Sequence, residues 1–172
     1  MAWETRLLLW LHSWANPILD VVFQFSHELG TFGFGAALVL LVSAWHAWRR
    51  RPQVAVLWLL VGVTAALLQW QLKELFLRPR PRLWPWLIDV GSAAWPSGHA
   101  LSTATFFPLL AAQAARRWPK RAGWCWAAAS ALVFYVGLGR LYLGVHWPTD
   151  VLGGWLLGAA LFGVAWRLMN RR

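Results

Sequence analysis

The chain has 172 residues, of which 59% are hydrophobic and 13% are charged. A soluble domain normally carries about 25% charged residues, so the composition excludes an ordinary soluble protein and favours a membrane protein. The formal net charge of +10 would suit a nucleic-acid binder, but the basic residues stand in short clusters between apolar runs and not along a soluble face, which argues against nucleic acid as a partner.

Near the start of the chain, polar and charged residues interrupt the apolar ones of residues 5–28. We predict that residues 1–29 form an interfacial helical segment, which would add a sixth crossing if it spanned the membrane. Five apolar stretches follow, each close to the roughly 20 residues that span a bilayer. The sequence thus predicts one all-α integral membrane domain over residues 1–172. Residues 30–172 would form a compact bundle of five transmembrane helices, which the N-terminal segment would raise to six if it also crossed. The five predicted spans are residues 30–48, 53–72, 98–115, 123–139 and 148–168.

The loops between the predicted helices fall on two faces that differ in charge. One face has ten basic residues and no acidic one, which makes it cytoplasmic by the positive-inside rule. The opposite face has six basic and six acidic residues, so its arginines oppose the topology signal and need another explanation. The ten cytoplasmic basic residues are Arg49, Arg50, Arg51, Arg116, Arg117, Lys120, Arg121, Arg167, Arg171 and Arg172.

Two segments of the external face carry features of an anion site. Lys73 stands at the end of the second span, and prolines on both sides of Arg80 stiffen the backbone that presents its guanidinium fork to phosphate oxygens. The third span begins at Ser97, a natural N-cap, followed by Gly98 and His99. The free N–H groups of such a helix start bind anions, and His99 would stand beside the bound anion.

A third segment on that face pairs a histidine with a carboxylate. Arg140 ends the fourth span, and His146 and Asp150 flank the start of the fifth. A carboxylate can hold the proton of one imidazole nitrogen and leave the other nitrogen as a nucleophile. We therefore predict that His146 attacks phosphorus, that Asp150 orients it and that His99 protonates the leaving oxygen. The fixed cations Lys73, Arg80 and Arg140 would stabilise the transferring phosphoryl group without a metal.

In this order, the motifs Lys-x6-Arg-Pro, Pro-Ser-Gly-His and Arg-x5-His-x3-Asp resemble those of the type 2 phosphatidic acid phosphatase (PAP2) superfamily, over residues 73–150. The resemblance implies a metal-independent phosphatase with no cofactor and a phosphohistidine intermediate. It assigns His146 as nucleophile, Asp150 as its partner and His99 as the acid. The phosphate-binding residues that it implies are Lys73, Arg80, Ser97, Gly98 and Arg140.

The short chain and external site most resemble undecaprenyl diphosphate phosphatases, which recycle the carrier lipid of cell-wall synthesis at the outer leaflet of the bacterial cytoplasmic membrane. The alternatives are a phosphatase of phosphatidic acid or phosphatidylglycerophosphate, a lipid phosphotransferase, and a membrane protein that only binds phosphate. The expected partners are a lipid phosphate or polyphosphate substrate and membrane lipids. The sequence leaves open whether the protein forms a homo-oligomer.

A few residues lie beside these motifs without belonging to them. Arg78 and Arg82 would add contacts to a diphosphate, or would lie at the membrane interface as snorkelling side chains. Gly139 stands where the family commonly has serine, which implies the loss of one hydroxyl contact to phosphate, worth ~1–3 kcal/mol. The remaining residues have structural interpretations. These are His12, His27 and His46 as structural histidines, Glu74 and Asp89 as solvated charges, Gly154-x3-Gly158 as a helix contact, and Trp84, Trp86 and Trp95 as interface anchors or the lining of a lipid entrance.

Overall fold

The computed structural model describes residues 2–170, and every regular element in that range is helical. Arg171 and Arg172, predicted on the cytoplasmic face, lie outside the described residues. The helices are α1 (Ala2–His12), α2 (Pro17–Glu28), α3 (Phe32–Trp48), α4 (Pro52–Phe76), α5 (Gly98–Arg117), α6 (Ala122–Tyr142) and α7 (Pro148–Asn170), with a short 3-10 helix at Pro119–Arg121.

Helices α3 to α7 occupy the five predicted stretches, with ends within four residues of the predicted ones. Three of them, α4, α7 and the segment Pro119–Tyr142 that contains α6, are long and apolar enough to cross a membrane. Helices α2 and α3 pass the same test only as a pair, which is bent by 49° at their junction. An all-helical membrane protein is therefore confirmed, whereas five or six crossings stay a prediction.

Helix α5 is less apolar than the other helices of the bundle, and protein encloses it. It packs mainly against α6 and α7, and eleven of its twenty residues are buried. Its polar groups bond within the protein: the hydroxyl of Thr103 donates to the carbonyl of His99 at 2.8 Å, and that of Thr105 donates to the carbonyl of Leu101 at 2.8 Å. A helix that faces other helices needs less apolar surface than one that faces lipid.

The contact between α5 and α7 depends on the two glycines of the predicted packing motif. A Cβ on Gly154 would lie 2.6 Å from the carbonyl oxygen of Ser97, and one on Gly158 would lie 2.5 Å from that of Leu101. Both distances are too short for a carbon, so the backbones approach this closely only with glycine. The prediction of close packing at Gly154-x3-Gly158 is confirmed, within the protein.

Helix α2 lies across one end of α6. Near its start, the backbone N–H of Asn16 donates to the hydroxyl of Tyr142 at 3.3 Å. At its other end, His27 Nδ1 lies 2.9 Å from Nη1 of Arg140, two residues before Tyr142. Because both ends of α2 meet the same turn of α6, α2 does not run the depth of the bundle by itself.

The helices of the bundle alternate in direction, so the predicted site residues collect at one end. Lys73 lies in the last turn of α4, Gly98 begins α5, Arg140 lies in the last turn of α6 and Pro148 begins α7. At the opposite end, the guanidinium of Arg116 stacks 4.2 Å above the ring of Trp166. The chain thereby separates its loops into two groups, as the alternating topology predicts.

Candidate active site

The loop of residues 77–97 connects α4 to α5 and is held to the bundle by two predicted phosphate ligands. Lys73 Nζ donates to Ser92 Oγ at 2.8 Å and to the carbonyl of Ala93 at 3.0 Å. Arg80 Nε donates to the carbonyl of Ser92 at 2.7 Å, and Nη1 donates to that of Val145 at 2.6 Å. The sequence predicted both cations, and the structure brings them to the same part of this loop.

The imidazole of His146 is buried beside Arg80. Arg80 Nη1 lies 3.1 Å from His146 Nε2. Since a guanidinium only donates, Nε2 must be the acceptor and must carry a lone pair. The proton of the neutral ring therefore sits on Nδ1, on the side of Asp150. This tautomer places the lone pair of Nε2 on the side of Arg80, and the role of His146 as the nucleophile stays a prediction.

Asp150 lies in the first turn of α7 and is fully buried. Its Oδ2 lies 3.5 Å from His146 Nδ1 and accepts a hydrogen bond from the backbone N–H of Trp147 at 2.8 Å. The distance to Nδ1 is longer than a normal hydrogen bond, and catalytic contacts of this kind often shorten when substrate binds. The carboxylate thus faces the imidazole nitrogen that carries the proton.

The two extra arginines of the loop have different surroundings. Arg78 Nη1 donates to Oδ1 of Asp150 at 2.5 Å, and its Nη2 forms an ion pair with Glu4 Oε2 at 3.1 Å. Arg82 lies exposed in the same loop, and among the described residues the structure gives it no contact with the other predicted site residues. Arg78 therefore belongs to a hydrogen-bond network around Asp150. The sequence analysis predicted Arg78 as a contact to a diphosphate and did not predict this network.

The start of α5 is tied to α7 through Ser97. Its hydroxyl caps α5 by accepting from the N–H of Ala100 at 3.5 Å, and its backbone N–H donates to the carbonyl of Asp150 at 3.0 Å. Gly98 is buried, and a Cβ at this position would overlap the side-chain amide of Gln69. The predicted N-cap is confirmed, and the start of α5 is bonded to the backbone of Asp150 in the first turn of α7.

Arg140 is fully buried, yet only part of its guanidinium is paired. Its Nη1 lies against His27 Nδ1, whereas Nε and Nη2 have no hydrogen-bond partner among the described residues. A buried donor without a partner costs ~1–3 kcal/mol, and more when it is charged. Two such donors on one planar fork match the oxygens of a phosphate group.

His27, which the sequence interpretation treated as structural, contacts two predicted site residues. Its Nδ1 lies 2.8 Å from Nε2 of His99 and 2.9 Å from Nη1 of Arg140. Because Arg140 can only donate, His27 Nδ1 is an acceptor, and the proton shared with His99 resides on His99 Nε2. The only sequence signal for this role is a position at the site end of a predicted interfacial helix.

Gly139 has a structural reason that the sequence does not show. A Cβ at this position would overlap the hydroxyl of Ser26, which is fully buried and donates to the carbonyl of Phe23 at 2.6 Å. A side chain on residue 139 would therefore meet α2. The close approach of α2 to α6 therefore gives a structural explanation for glycine at position 139. The sequence analysis interpreted this residue only as the loss of a hydroxyl contact to phosphate.

A cavity of about 490 Å³ opens between α3 and α4 and ends at the site. Polar side chains line its inner end, and the rest is apolar. The polar end includes His27, Lys73, Arg80 and His99; the apolar part includes Val39, Leu59, Val63, Ala66 and Phe106. The shape suits an amphiphile with an anionic head and a hydrocarbon tail.

The loop tryptophans fasten the loop beside this cavity. Trp84 stacks on His12 with ring centroids 4.0 Å apart, and Trp86 Nε1 donates to the carbonyl of Pro81 at 3.1 Å. Trp95 packs against the ring of Phe76 with centroids 4.3 Å apart. The predicted lipid entrance at these residues stays a prediction.

Burial and nearby cations together set the protonation state of His146. Burial, together with the positive charges of Arg80, Lys73 and Arg140, holds the pKa of His146 well below its usual range. Burial also lowers the pKa of Arg80 to about 10, so this guanidinium still carries its charge at neutral pH. A neutral imidazole therefore stands among positive charges, which is the state that a nucleophilic nitrogen needs.

The fold is a helical membrane bundle. Its site combines the buried pair of His146 and Asp150 with donors of Arg140 that have no partner among the described residues. These features define an integral membrane protein with an anion-binding site. The PAP2 superfamily matches residues 53–172 of the sequence, and this chain belongs to that superfamily of phosphatases.

Relatives of known name agree with this family. Phosphatidylglycerophosphatase B of Bacillus subtilis is 36% identical over 150 residues, which cover 86% of this chain and 73% of that protein. The undecaprenyl-diphosphatase of Sulfolobus acidocaldarius is 41% identical over 66 residues, 38% of this chain and 29% of that protein. The crystal structure of a transmembrane PAP2-type phosphatidylglycerolphosphate phosphatase from Bacillus subtilis matches with a TM-score of 0.91 and 31% identity, over 99% of this chain and 87% of that one.

Proposed function

We propose that the protein is a metal-independent lipid phosphatase in which His146 forms a phosphohistidine. The observation that carries this proposal is the position of the His146 ring, whose Nε2 lies 3.1 Å from Arg80 Nη1 while Nδ1 faces Asp150. Substrate phosphate would enter beside Nε2 and take over the donor of Arg80. The imidazolium that develops during attack would be stabilised by the carboxylate of Asp150.

The reaction then has two steps. In the first, His146 Nε2 bonds to phosphorus, and the bond from phosphorus to the lipid oxygen breaks. His99, which enters this step as an imidazolium, gives one proton to that oxygen and becomes neutral. In the second, water attacks phosphorus, the phosphorus–nitrogen bond breaks, and His99 takes the proton of the water. Lys73, Arg80 and Arg140 would hold the equatorial oxygens through both steps, together with the N–H groups at Ser97 and Gly98.

The cavity supports a lipid as the substrate. Its polar end lies at Lys73, Arg80 and His99, and its apolar walls come from α3, α4 and α5. The hydrocarbon chain of a lipid would pack against these apolar walls, and its phosphate group would bind the cations at the polar end. A soluble phosphate ester would leave the apolar walls empty, so we expect it to be a poorer substrate.

Phosphatidylglycerophosphate is the first candidate substrate. The relative whose similarity extends over most of this chain is a phosphatidylglycerophosphatase. In addition, Arg78 forms ion pairs with Glu4 and Asp150. Its charge is therefore already compensated, which makes it a weaker candidate for binding the second phosphate of a diphosphate. Undecaprenyl diphosphate, to which the sequence alone points first, is the second candidate and is supported by the partial similarity to an undecaprenyl-diphosphatase.

The charge of the loops supports an orientation for the site. The end opposite the site contains Arg116 and Arg117 together with Arg49, Arg50 and Arg51, so the positive-inside rule favours a cytoplasmic location for that end. The site would then face the outside of the cytoplasmic membrane. A cysteine placed at Arg50 should be protected from an impermeant thiol reagent in intact spheroplasts, and labelling there would reverse the orientation.

The experiment that tests the function is phosphate release by the purified protein. The substrates are phosphatidylglycerophosphate, phosphatidic acid and undecaprenyl diphosphate, compared by kcat/KM with and without EDTA. Acid-sensitive phosphoenzyme should form in the wild type and be absent in His146→Ala. Hydrolysis that survives in His146→Ala contradicts the nucleophile, and strong inhibition by EDTA contradicts a metal-independent reaction.

A further inference from the structure

We propose that Glu4 on α1 is a positioning residue of the phosphatase reaction, which acts through Arg78 on the carboxylate of Asp150. This inference rests on the proposed function, because it concerns the carboxylate that orients the nucleophile His146. It adds the first helix, which lies outside the family's motifs, to the residues that prepare the nucleophile.

Glu4 is a carboxylate with only 3% of its surface exposed. Its Oε1 accepts from the backbone N–H of Thr149 at 3.2 Å and from the hydroxyl of Thr149 at 2.7 Å. Its Oε2 lies 3.1 Å from Nη2 of Arg78. A buried carboxylate needs such compensation, and these partners lie in the first turn of α7 or pair directly with Asp150.

Arg78 joins the two carboxylates with one guanidinium. Its Nη2 pairs with Glu4, while its Nη1 donates to Asp150 Oδ1 at 2.5 Å and to the hydroxyl of Thr149 at 2.7 Å. The oxygens of Asp150 are thereby divided between two tasks. Oδ1 is held by Arg78, and Oδ2 is left to face His146, so rotation of the carboxylate is restricted.

Glu4 shares a positive charge that would otherwise act on Asp150 alone. Without the charge of Glu4, Arg78 would draw the carboxylate more strongly and would add uncompensated positive charge near His146. The distance from Asp150 Oδ2 to His146 Nδ1 is already 3.5 Å, so a small displacement of the carboxylate weakens its hold on the imidazole. Glu4 therefore affects the chemical step more than substrate binding.

The test compares Glu4→Gln with the matched variant Asp20→Asn. Asp20 is an acidic residue of α2 that accepts a hydrogen bond from the hydroxyl of Tyr142 at 2.7 Å, so it fastens the N-terminal helices without contacting Arg78 or Asp150. The measurements are kcat and KM for phosphatidylglycerophosphate and the rate of phosphohistidine formation in rapid-quench experiments. We expect Glu4→Gln to lower kcat and that rate by about 10- to 100-fold at nearly unchanged KM, and Asp20→Asn to keep both.

A double-mutant cycle shows whether Glu4 acts through Arg78. Arg78→Gln alone should lower kcat at unchanged KM, and in that background Glu4→Gln should cause no further loss. This arm keeps the test decisive if one single variant folds poorly. A rise in KM with unchanged kcat in Arg78→Gln would make Arg78 a phosphate ligand and overturn the inference.

The remaining outcomes separate this inference from the proposed function. If the wild type forms no phosphohistidine, the proposed function is wrong and the inference is lost with it. If phosphohistidine forms and Glu4→Gln has the wild-type kcat, only the inference is overturned. An equal loss in Glu4→Gln and Asp20→Asn also overturns it, because docking of the N-terminal helices would then explain both.

Discussion

Arg80 Nη1 lies 3.1 Å from Nε2 of His146, so a permanent donor faces the nitrogen that we propose as the nucleophile. The same guanidinium donates through Nη1 and Nε to backbone carbonyls of Val145 and Ser92. The fork is thereby fixed in position before a substrate arrives. An incoming phosphate has to take the place of His146 Nε2 as the acceptor of the Arg80 Nη1 hydrogen bond. The positive charge of Arg80 then lies next to the phosphate oxygens.

The first prediction concerns the shape of that cation. Arg80→Lys keeps the positive charge but removes the planar fork, so the loop contacts and the bidentate contact to phosphate cannot both form. We expect kcat/KM to fall by about 10- to 100-fold, measured as phosphate release from the lipid substrate. Arg117→Lys, at the opposite end of the bundle, is the control and should keep the wild-type value. Equal activity of the two variants would contradict the role of the fork.

The second prediction concerns the pH dependence of kcat/KM. His146 attacks only when it is neutral, and the pKa of this group in the folded protein lies well below 6.5 because of burial and the charges of Arg80, Lys73 and Arg140. Activity should therefore be retained as the pH falls through 6.5 and be lost only at the lowered pKa.

The variant Lys73→Gln tests the cause of this shift. Removal of one of the cations near His146 should move the acidic limb of the pH profile upward, toward the ordinary histidine value. An acidic limb centred above pH 6.5 in the wild type, or one that Lys73→Gln leaves in place, would contradict the assignment. The measurement is kcat/KM between pH 4 and pH 9 in detergent.

The third prediction concerns Gly139. Gly139→Ser places a side chain where the hydroxyl of Ser26 lies, so α2 has to move away from α6. Overpacking of this kind costs ~1–3 kcal/mol, which lowers Tm by about 3–10 °C. Because α2 carries His27, the activity should fall too. The double variant with Ser26→Gly should recover both, whereas a gain of phosphate affinity at unchanged Tm would show that the family's serine hydroxyl reaches the substrate.

The fourth prediction concerns the cavity between α3 and α4. Ala66→Phe fills part of its apolar wall, so KM for a long-chain lipid phosphate should rise by about tenfold or more, as expected from the loss of buried hydrocarbon. A short, soluble phosphate monoester should be hydrolysed as before. Leu60→Phe, on the outer surface of the same helix, is the control. Unchanged KM in Ala66→Phe would place the lipid tail elsewhere.

Much of the fold could be predicted because its signals are local. Apolar stretches located α3 to α7, and the alternation of their directions brought Lys73, His99 and His146 to one end although they are far apart in sequence. Ser97 could be recognised as an N-cap from its residue type and position.

The missing parts of the site depend on how the first two helices dock. His27 and Glu4 reach the site only because α2 lies across α6 and α1 lies against the start of α7. No periodicity in residues 5–28 specifies that placement. Arg78 illustrates a second limit: it is two residues from Arg80, and only the folded loop shows that one pairs with Asp150 and the other with His146.

The enclosure of α5 has a consequence for biogenesis. A helix with His99, two threonines and Gln113 along its length has a weak tendency to leave the translocon for lipid on its own. It makes most of its contacts with α6 and α7, which are synthesised later. The segment that carries His99 should therefore enter the bilayer only with its successors, and a nascent chain that stops after Arg117 should remain exposed to quality-control proteases.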